Sequence, residues 1–244
     1  MHQSIKKEII KSLENQREIF GDELFIPDIL EPKLISEKVV TKKFEEEPTL
    51  FDDKKELWES SENLDELNKI ICNCTKCFLH KGRNKFVFGV GNPKADVMLI
   101  GEGPGAEEDK QGEPFVGRAG QLLNDILKAI KFAREEVYIA NVVKCRPPGN
   151  RTPLPEEMDE CMPYLLKQIE LIKPKLILCL GLVAANAVLG KKETLGKLRG
   201  KIFELNNIKV MVTYHPAALL RNPNFKKDCW EDVKAFRALY DEIK

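Results

Sequence analysis

The sequence lacks any apolar run long enough to cross a membrane. A spanning helix needs about 20 consecutive apolar residues, and no run in the 244-residue chain approaches that length. The first residues, MHQSIKKEIIKSLENQ, carry too many charges for a secretory signal peptide. We therefore expect a protein of the cytoplasm with no membrane partner.

The chain also lacks a net charge, because its 39 Lys and Arg residues equal its 39 Asp and Glu residues. The balance hides an asymmetry: residues 1–70 contain 11 basic and 18 acidic residues, whereas residues 71–244 contain the remaining 28 and 21. Basic side chains cluster beside cysteine, as Lys144, Arg146 and Arg151 do around Cys145. Residues 71–244 are therefore basic and follow an acidic N-terminal segment, which indicates that this basic part binds a polyanion.

The cysteines are poorly suited to a disulfide framework, because they number seven in a chain rich in Lys and Glu. Four of them form two pairs, Cys74-x2-Cys77 and Cys145-x15-Cys161. Sulfurs separated by two residues can reach one metal from a single turn, and four thiolates suit zinc or an iron–sulfur cluster. The pattern predicts a metal centre in a reducing compartment and leaves both metals open.

The sequence divides near residue 70. Residues 1–69 form an acidic N-terminal extension, and residues 70–244 are long enough for one substantial core. Within the extension, residues 4–20 have the apolar spacing of a short amphipathic helix. Residues 21–60 contain three prolines without a sustained period, which predicts a linker.

One short segment of that linker has a possible function. Residues 48–52 (PTLFD) place two apolar side chains in acidic surroundings and loosely resemble bacterial sliding-clamp motifs, with Glu47 where those motifs usually have glutamine. The segment is either a peptide that docks on a DNA-replication or repair protein or a chance apolar pair.

Four short apolar runs alternate with helical patterns in the remainder of the chain. The runs cover residues 96–100, 137–143, 176–180 and 209–214, and residues 197–205 resemble an edge hairpin. Helical spacing covers residues 61–72, 119–130, 155–172, 183–189 and 226–243. This alternation predicts an α/β fold, in which helices cover both faces of a central, mainly parallel four-stranded sheet to give three α/β/α layers.

Polar residues follow the predicted strands, at Glu102, Asn141 and His215. Ligands of open α/β sheets bind beyond the carboxyl ends of the strands, so we expect these side chains to converge on one site. The amide of Asn141 can offer a donor and an acceptor to one flat ring, and His215 can donate to a developing oxyanion. The alternatives are that Asn141 bonds to neighbouring backbone and that His215 is a structural histidine.

Two glycine-containing loops have more than one interpretation. Residues 101–106 (GEGPGA) match a dinucleotide-binding fingerprint. However, Pro104 removes a backbone donor, and Asp125, near the spacing of the expected acid, falls within a predicted helix. A loop that lets backbone approach a ligand closely fits better. Phe115, in the second loop, is either a flat face for a base to stack on or a plug over the core.

The segment after His215 places Leu219 and Leu220 beside Arg221. We expect an exposed loop here. An exposed apolar pair can wedge into a base stack while the neighbouring cation meets a phosphate. The alternative is a core contact at the start of a helix.

The segments GEGPGAEEDKQGEPFVGRAG, YIANVVKCRPPGNRTP, LILCLG and HPAALLR together resemble the family 4 uracil-DNA glycosylases, the iron–sulfur branch of their superfamily. The resemblance covers about residues 70–244 and includes the spacing of the four cysteines. It implies a monofunctional N-glycosidic bond hydrolase of base-excision repair, which flips deoxyuridine out of uracil-containing DNA, releases uracil and leaves an abasic site. We further expect a monomer that associates with the nucleoid.

The resemblance also implies a cofactor and its ligands. A [4Fe-4S] cluster would be held by Cys74, Cys77, Cys145 and Cys161, and would be structural. Cys72 completes a C-x-C-x2-C run and is a spare that could replace Cys74.

Roles for the site residues follow from the same resemblance. Phe115 would stack on uracil, and Asn141 would bond the polar edge of the base around N3 and O4. His215 would donate toward O2, where negative charge grows as the glycosidic bond breaks. Leu219 would intercalate to fill the vacated stack.

Glu102 and the Gly103 backbone would line the pocket and help to exclude the methyl group of thymine. The best-known uracil glycosylases carry a water-orienting aspartate where this chain has Gly103. Glu102 and Asp109 are therefore the candidates for activating water.

Two other classes stay open at this point. One is a non-catalytic iron–sulfur module that binds DNA or associates with a polymerase. The other is a zinc-containing nucleotide-dependent oxidoreductase, against which the imperfect fingerprint counts.

Overall fold

The computed structural model describes residues 36–38 and 56–244. Its strands form one seven-stranded sheet with the order β1-β6-β7-β5-β3-β4-β2. The strands are β1 (Ser36–Lys38), β2 (Val90–Gly91), β3 (Val97–Gly101), β4 (Tyr138–Asn141), β5 (Leu176–Leu180), β6 (Ile202–Leu205) and β7 (Ile208–Thr213).

The centre of this sheet is the predicted set of four parallel strands, in the order β7-β5-β3-β4. Every residue of β3, β4 and β5 is buried, as expected for strands covered on both faces. The α/β prediction with a mainly parallel central sheet is therefore confirmed.

Edge strands extend the sheet beyond the four predicted. The hairpin expected within residues 197–205 is wrong in its bounds, because Leu195–Leu198 is a short helix. The end of that segment is a single strand, β6, which forms a hairpin with antiparallel β7. Asn206 and Asn207 both have positive φ angles at its two-residue turn, which matches the twist of the strands. Short β2 pairs antiparallel with β4, and β1 pairs parallel with β6. Residues 36–38 were predicted to be part of a linker, because a strand of three residues is too short to show a hydrophobic period in the sequence.

The helices are α1 (Leu64–Ile71), α2 (Ala106–Gln111), α3 (Arg118–Ala129), α4 (Pro155–Ile172), α5 (Leu182–Leu189), α6 (Leu195–Leu198), α7 (Pro216–Arg221) and α8 (Phe225–Ile243). Helix α4 has its predicted bounds, because Pro155 fits the first turn and Glu157 accepts from the Leu154 amide at 2.8 Å. Short helices α2 and α7 were not predicted.

Two apolar clusters lie on opposite faces of the sheet and give the three layers. One joins the sheet to α1, α4 and α5 through residues such as Leu67, Leu165 and Ala184. The other joins it to α3 and α8 through residues such as Leu123 and Phe236. None of the helices in the described part of the chain is long and apolar enough to cross a bilayer.

The predicted helix at residues 4–20 and the peptide at 48–52 lie outside the described residues. The division of the chain near residue 70 stays a prediction.

Candidate active site

A cavity of about 360 Å³ opens beyond the carboxyl ends of the parallel strands. Its lining includes all the pocket residues expected from the sequence: Glu102, Gly103, Phe115, Asn141 and His215. Side chains that lie up to 113 positions apart in the chain meet here because β3, β4 and β7 end at the same edge of the sheet.

Asn141 ends β4 with its side chain buried, at 2% exposure. Among the described residues, its Oδ1 is a buried side-chain oxygen without a hydrogen-bond partner. Such an atom costs about 1–3 kcal/mol when left unsatisfied. Because Asn141 lines the cavity, a ligand with an N–H donor would satisfy this oxygen.

His215 follows β7 and caps the start of α7. Its Nδ1 accepts from the backbone N–H of Ala217 at 3.1 Å, which places the proton of the neutral ring on Nε2. Burial, together with the positive charge of Arg221, lowers the pKa of His215 to about 4. At neutral pH the ring is therefore an uncharged donor at the cavity wall.

Phe115 is buried in a left-handed backbone conformation, with φ of 54°. Its ring lies 5.5 Å from that of His215, centroid to centroid, with 32° between the planes. It packs in the apolar cluster beside α3, as the core-plug interpretation expects, and it also lines the cavity. Stacking on a base stays a prediction.

Glu108 holds the unusual backbone beside Phe115 in place. Its Oε1 accepts from the amides of Val116 and Gly117 at 3.0 and 2.9 Å. A left-handed conformation at a bulky residue persists only when its surroundings fix it. Glu108 was not predicted as part of the site, because it lies in an acidic EED run typical of a solvated helix.

Gly101 is needed for the close approach of two cavity side chains. A Cβ at this position would lie 2.6 Å from Cζ of Phe115 and closer still to Oδ1 of Asn141. The glycine thus makes room for the aromatic ring and the amide rather than cradling a phosphate.

The two carboxylates proposed to activate water lie in different places. Glu102 lines the cavity, where burial raises its pKa while a hydrogen bond from Thr152 and the charge of Arg221 oppose that shift. Asp109 is fully buried and accepts from the backbone amide of Asn84 at 2.8 Å and from its side-chain amide. Asp109 therefore ties α2 to the segment after the first cysteines and does not line the cavity.

The expectation of an exposed loop at Leu219 was wrong, and the alternative of a core contact in a helix is confirmed. Residues 216–221 form α7 rather than a loop, because Pro216 starts a helix that His215 caps. Leu219 is 2% exposed and packs in the core, whereas Leu220 is 40% exposed. The apolar side chain available for insertion beside Arg221 is Leu220.

The four cysteines of the two predicted pairs lie near one another. Arg83 bridges the pairs, because its Nη1 donates to the Cys74 carbonyl at 2.6 Å and to Cys145 Sγ at 3.3 Å. The Cys161 Sγ accepts from the Lys144 backbone amide at 3.4 Å, and Tyr164 donates to Cys74 Sγ at 3.4 Å. These donors suit thiolate ligands.

The other cysteines differ from this group. None of the seven forms a disulfide. Cys179 and Cys229 are buried in the core. Cys72 is partly buried and donates weakly to the Lys69 carbonyl at 3.5 Å.

The three cations around Cys145 have different surroundings. Lys144 is fully buried. Arg151 forms a paired contact with Glu157, at 2.7 and 2.8 Å, and so fixes the loop that brings Thr152 to the cavity. Arg146 bonds to Asn150.

Comparison with known proteins agrees with this geometry. The family described as "Uracil DNA glycosylase superfamily" matches residues 88–239. The chain is 45% identical to a type-4 uracil-DNA glycosylase of Archaeoglobus fulgidus over 71% of this chain and 91% of that relative. It is 46% identical to that of Pyrobaculum aerophilum (71% and 93% covered) and 47% identical to that of Thermotoga maritima (68% and 88% covered). The chain belongs to the uracil-DNA glycosylase superfamily and, within it, to the type-4 family.

Proposed function

We propose that this protein excises uracil from DNA by hydrolysing the N-glycosidic bond, and that Asn141, His215 and Phe115 carry the reaction. One observation supports this most: a buried asparagine whose Oδ1 is unsatisfied lines a cavity beside a neutral histidine donor and an aromatic ring. This arrangement suits a flat ring with an N–H at its edge and an oxygen that gains charge.

Base recognition follows from donor and acceptor placement. A flipped uracil would stack on Phe115 and present N3–H and O4 to Asn141. The Oδ1 of Asn141 would accept from N3–H, and its NH2 group would donate to O4. Cytosine has an unprotonated N3 and an amino group at C4, so both contacts fail and buried polar groups stay unpaired. Glu102 and Gly103 would crowd the methyl group of thymine.

Catalysis would come from stabilising the departing base. As the C1′–N1 bond breaks, its electron pair leaves with uracil and negative charge grows on O2. His215 would donate from Nε2 to that oxygen, an interaction made fully only in the transition state and typically worth about 3 kcal/mol. Water would then bond to C1′ and give its proton to Glu102, the partly buried carboxylate beside Thr152.

We infer that Cys74, Cys77, Cys145 and Cys161 hold a [4Fe-4S] cluster. When bound, the cluster would supply a cross-link between the two cysteine pairs. The donors beside these sulfurs, from Arg83, Lys144 and Tyr164, would stabilise thiolate ligands of such a cluster. Whether Cys72 can replace Cys74 stays a prediction.

The DNA-facing surface would include Leu220 and Arg221. Leu220 is exposed beside the cavity-lining Arg221, so it could fill the space left by the flipped nucleotide while the guanidinium meets a phosphate. We further propose that the enzyme acts as a monomer at the nucleoid, and that residues 1–69 contact a replication or repair protein.

The test is an excision assay. A duplex with one deoxyuridine is incubated with the protein and treated with alkali, which cuts only at an abasic site. We expect strand cleavage with uracil and none with cytosine or thymine at the same position. Asn141→Ala and His215→Ala should each lower excision severely yet still bind DNA. Wild-type protein that binds the duplex without producing alkali-labile sites would instead support the non-catalytic module.

A further inference from the structure

Lys144 is a fully buried lysine that the proposed reaction does not use. Its Nζ donates to the backbone carbonyl of Asn141 at 2.9 Å and to Oε1 of Gln168 at 2.6 Å. Gln168, on α4, is also fully buried, and its Nε2 donates to the carbonyl of Phe88 at 3.0 Å. Burying a charge is costly, so this pair of residues calls for an explanation.

The pair lies where regular pairing at the edge of the sheet stops. Strand β2 pairs with β4 only at Val90–Ile139 and Gly91–Tyr138. Beyond these pairs the Val87 amide donates to the Lys144 carbonyl at 2.9 Å. Between that bond and the ladder, side chains bond the two backbones, because Lys144 donates to the carbonyl of Asn141 and Gln168 to that of Phe88. The Lys144–Gln168 bond joins the two, so the end of β4 is held from this side by a side-chain bridge.

The bridge affects the orientation of the Asn141 amide, because few other contacts orient that side chain. Its Oδ1 has no partner among the described residues, so no hydrogen bond to that oxygen sets the rotation of the side chain. Its direction depends on the backbone at Asn141 and on the close contact over Gly101. A shift of the strand end would move the amide with it.

We propose that Lys144 and Gln168 are positioning residues that fix the carbonyl of Asn141 and thereby aim its amide at the edge of the base. This inference rests on the proposed excision of uracil. The same lysine donates its backbone amide to Cys161 Sγ, so one residue joins the base-recognising strand to a cysteine of the proposed cluster site.

A purely structural role makes a different prediction. If the bridge only stabilised the core, its loss would slow excision by the same factor whatever residue stood at position 141. If it acts through the amide, its loss should have no further effect once that amide is gone. A double-mutant cycle between Lys144 and Asn141 separates the two cases.

The experiment compares wild type, Lys144→Met, Asn141→Ala and the double variant. Excision of uracil from a duplex is measured with enzyme in excess, and affinity is measured on a duplex with a tetrahydrofuran abasic-site analogue, which has no base for Asn141 to contact. Methionine keeps the length of lysine without the donor. We expect K144M to slow excision roughly tenfold to 100-fold, as small misplacements of catalytic groups do. Affinity for the abasic analogue should not change.

In the Asn141→Ala background, K144M should slow excision by less than about twofold. Lys167→Met is the matched control: it makes the same substitution beside Gln168 on α4, but Lys167 bonds Glu170 at 2.9 Å on its own helix. K167M should excise uracil at the wild-type rate. Thermal unfolding and visible absorbance report whether each variant keeps its fold and cluster.

Wild-type excision by K144M, or an equal slowing in both backgrounds, would overturn the inference while leaving the proposed function intact. An inactive wild-type protein would count against the function itself. If K144M does not fold, Gln168→Leu takes its place in the cycle, because it removes the other anchor of the lysine; the same two results decide the outcome.

Discussion

Replacing Gly101 with alanine would test whether the amide and the aromatic ring must share the space above this residue. The added Cβ would lie 2.6 Å from Cζ of Phe115, whereas ordinary contacts begin near 3.4 Å, so the ring must retreat by roughly 0.8 Å. Oδ1 of Asn141 would be displaced as well. Overpacking of this kind costs about 1–3 kcal/mol of stability.

The expected effect on excision is larger than the effect on folding. A misplacement of about 1 Å can lower a rate by about 100-fold, and here it would affect both the stacking ring and the recognition amide. We therefore expect Gly101→Ala to slow single-turnover uracil excision by about 100-fold while thermal unfolding shows a folded protein.

Gly82→Ala provides the control for this prediction. A Cβ on Gly82 would meet nothing within 4 Å, and its backbone is right-handed, so alanine should fit without strain. G82A should excise uracil at the wild-type rate. Equal rates for G101A and wild type would refute the crowded geometry at the end of β3.

Four further predictions follow from the site. Side-chain NMR should show His215 titrating near pH 4; a value near 6.5 would contradict its burial. Between about pH 6.5 and pH 4, His215 is protonated in the unfolded chain but neutral in the folded protein. The free energy of unfolding should therefore decrease as pH falls through this range. Glu108→Ala should lower excision at least tenfold, because it removes the acceptor that fixes the Phe115 loop. The unpaired backbone amides should cost about 1–3 kcal/mol of stability. Unchanged turnover would show that the loop keeps its conformation without Glu108. Leu219→Ala should lower stability by about 2–5 kcal/mol, whereas Leu220→Ala should leave the melting temperature unchanged and weaken excision from duplex DNA; the reverse pattern would restore Leu219 as the inserted side chain. Cys145→Ser should yield less soluble protein with less iron by elemental analysis, and normal iron content would show that Cys145 is not a ligand.

The sequence was sufficient to predict the parts of the fold and site that depend on periodicity and strand ends. Each central strand is a short apolar run, and a polar residue directly after such a run lies at the ligand-binding edge of a parallel sheet. The sequence alone was therefore sufficient to place Asn141 and His215 at one site. Glu102 follows β3 in the same way, whereas Phe115 lies between α2 and α3 and was a candidate because of its glycine-flanked loop.

The remaining features depend on tertiary contacts that leave no local signal. Lys144 stands beside Cys145 and Arg146 and looks like one cation of a basic patch, yet the end of β4 and Gln168 bury it. Leu219 and Leu220 are adjacent and chemically alike, so only the phase of a six-residue helix decides which is buried. Glu108 is one acid among three, and only the backbone of a distant loop distinguishes it.

The most direct test of the account concerns the partner of Asn141 Oδ1, and it needs no substitution in the protein. Isothermal titration of the enzyme with uracil, 1-methyluracil and 3-methyluracil distinguishes an N–H at ring position 3 from a methyl group there. We expect uracil and 1-methyluracil to bind and 3-methyluracil not to bind, because it offers the buried oxygen no donor. Equal binding of 3-methyluracil would contradict the claim that this oxygen recognises the base.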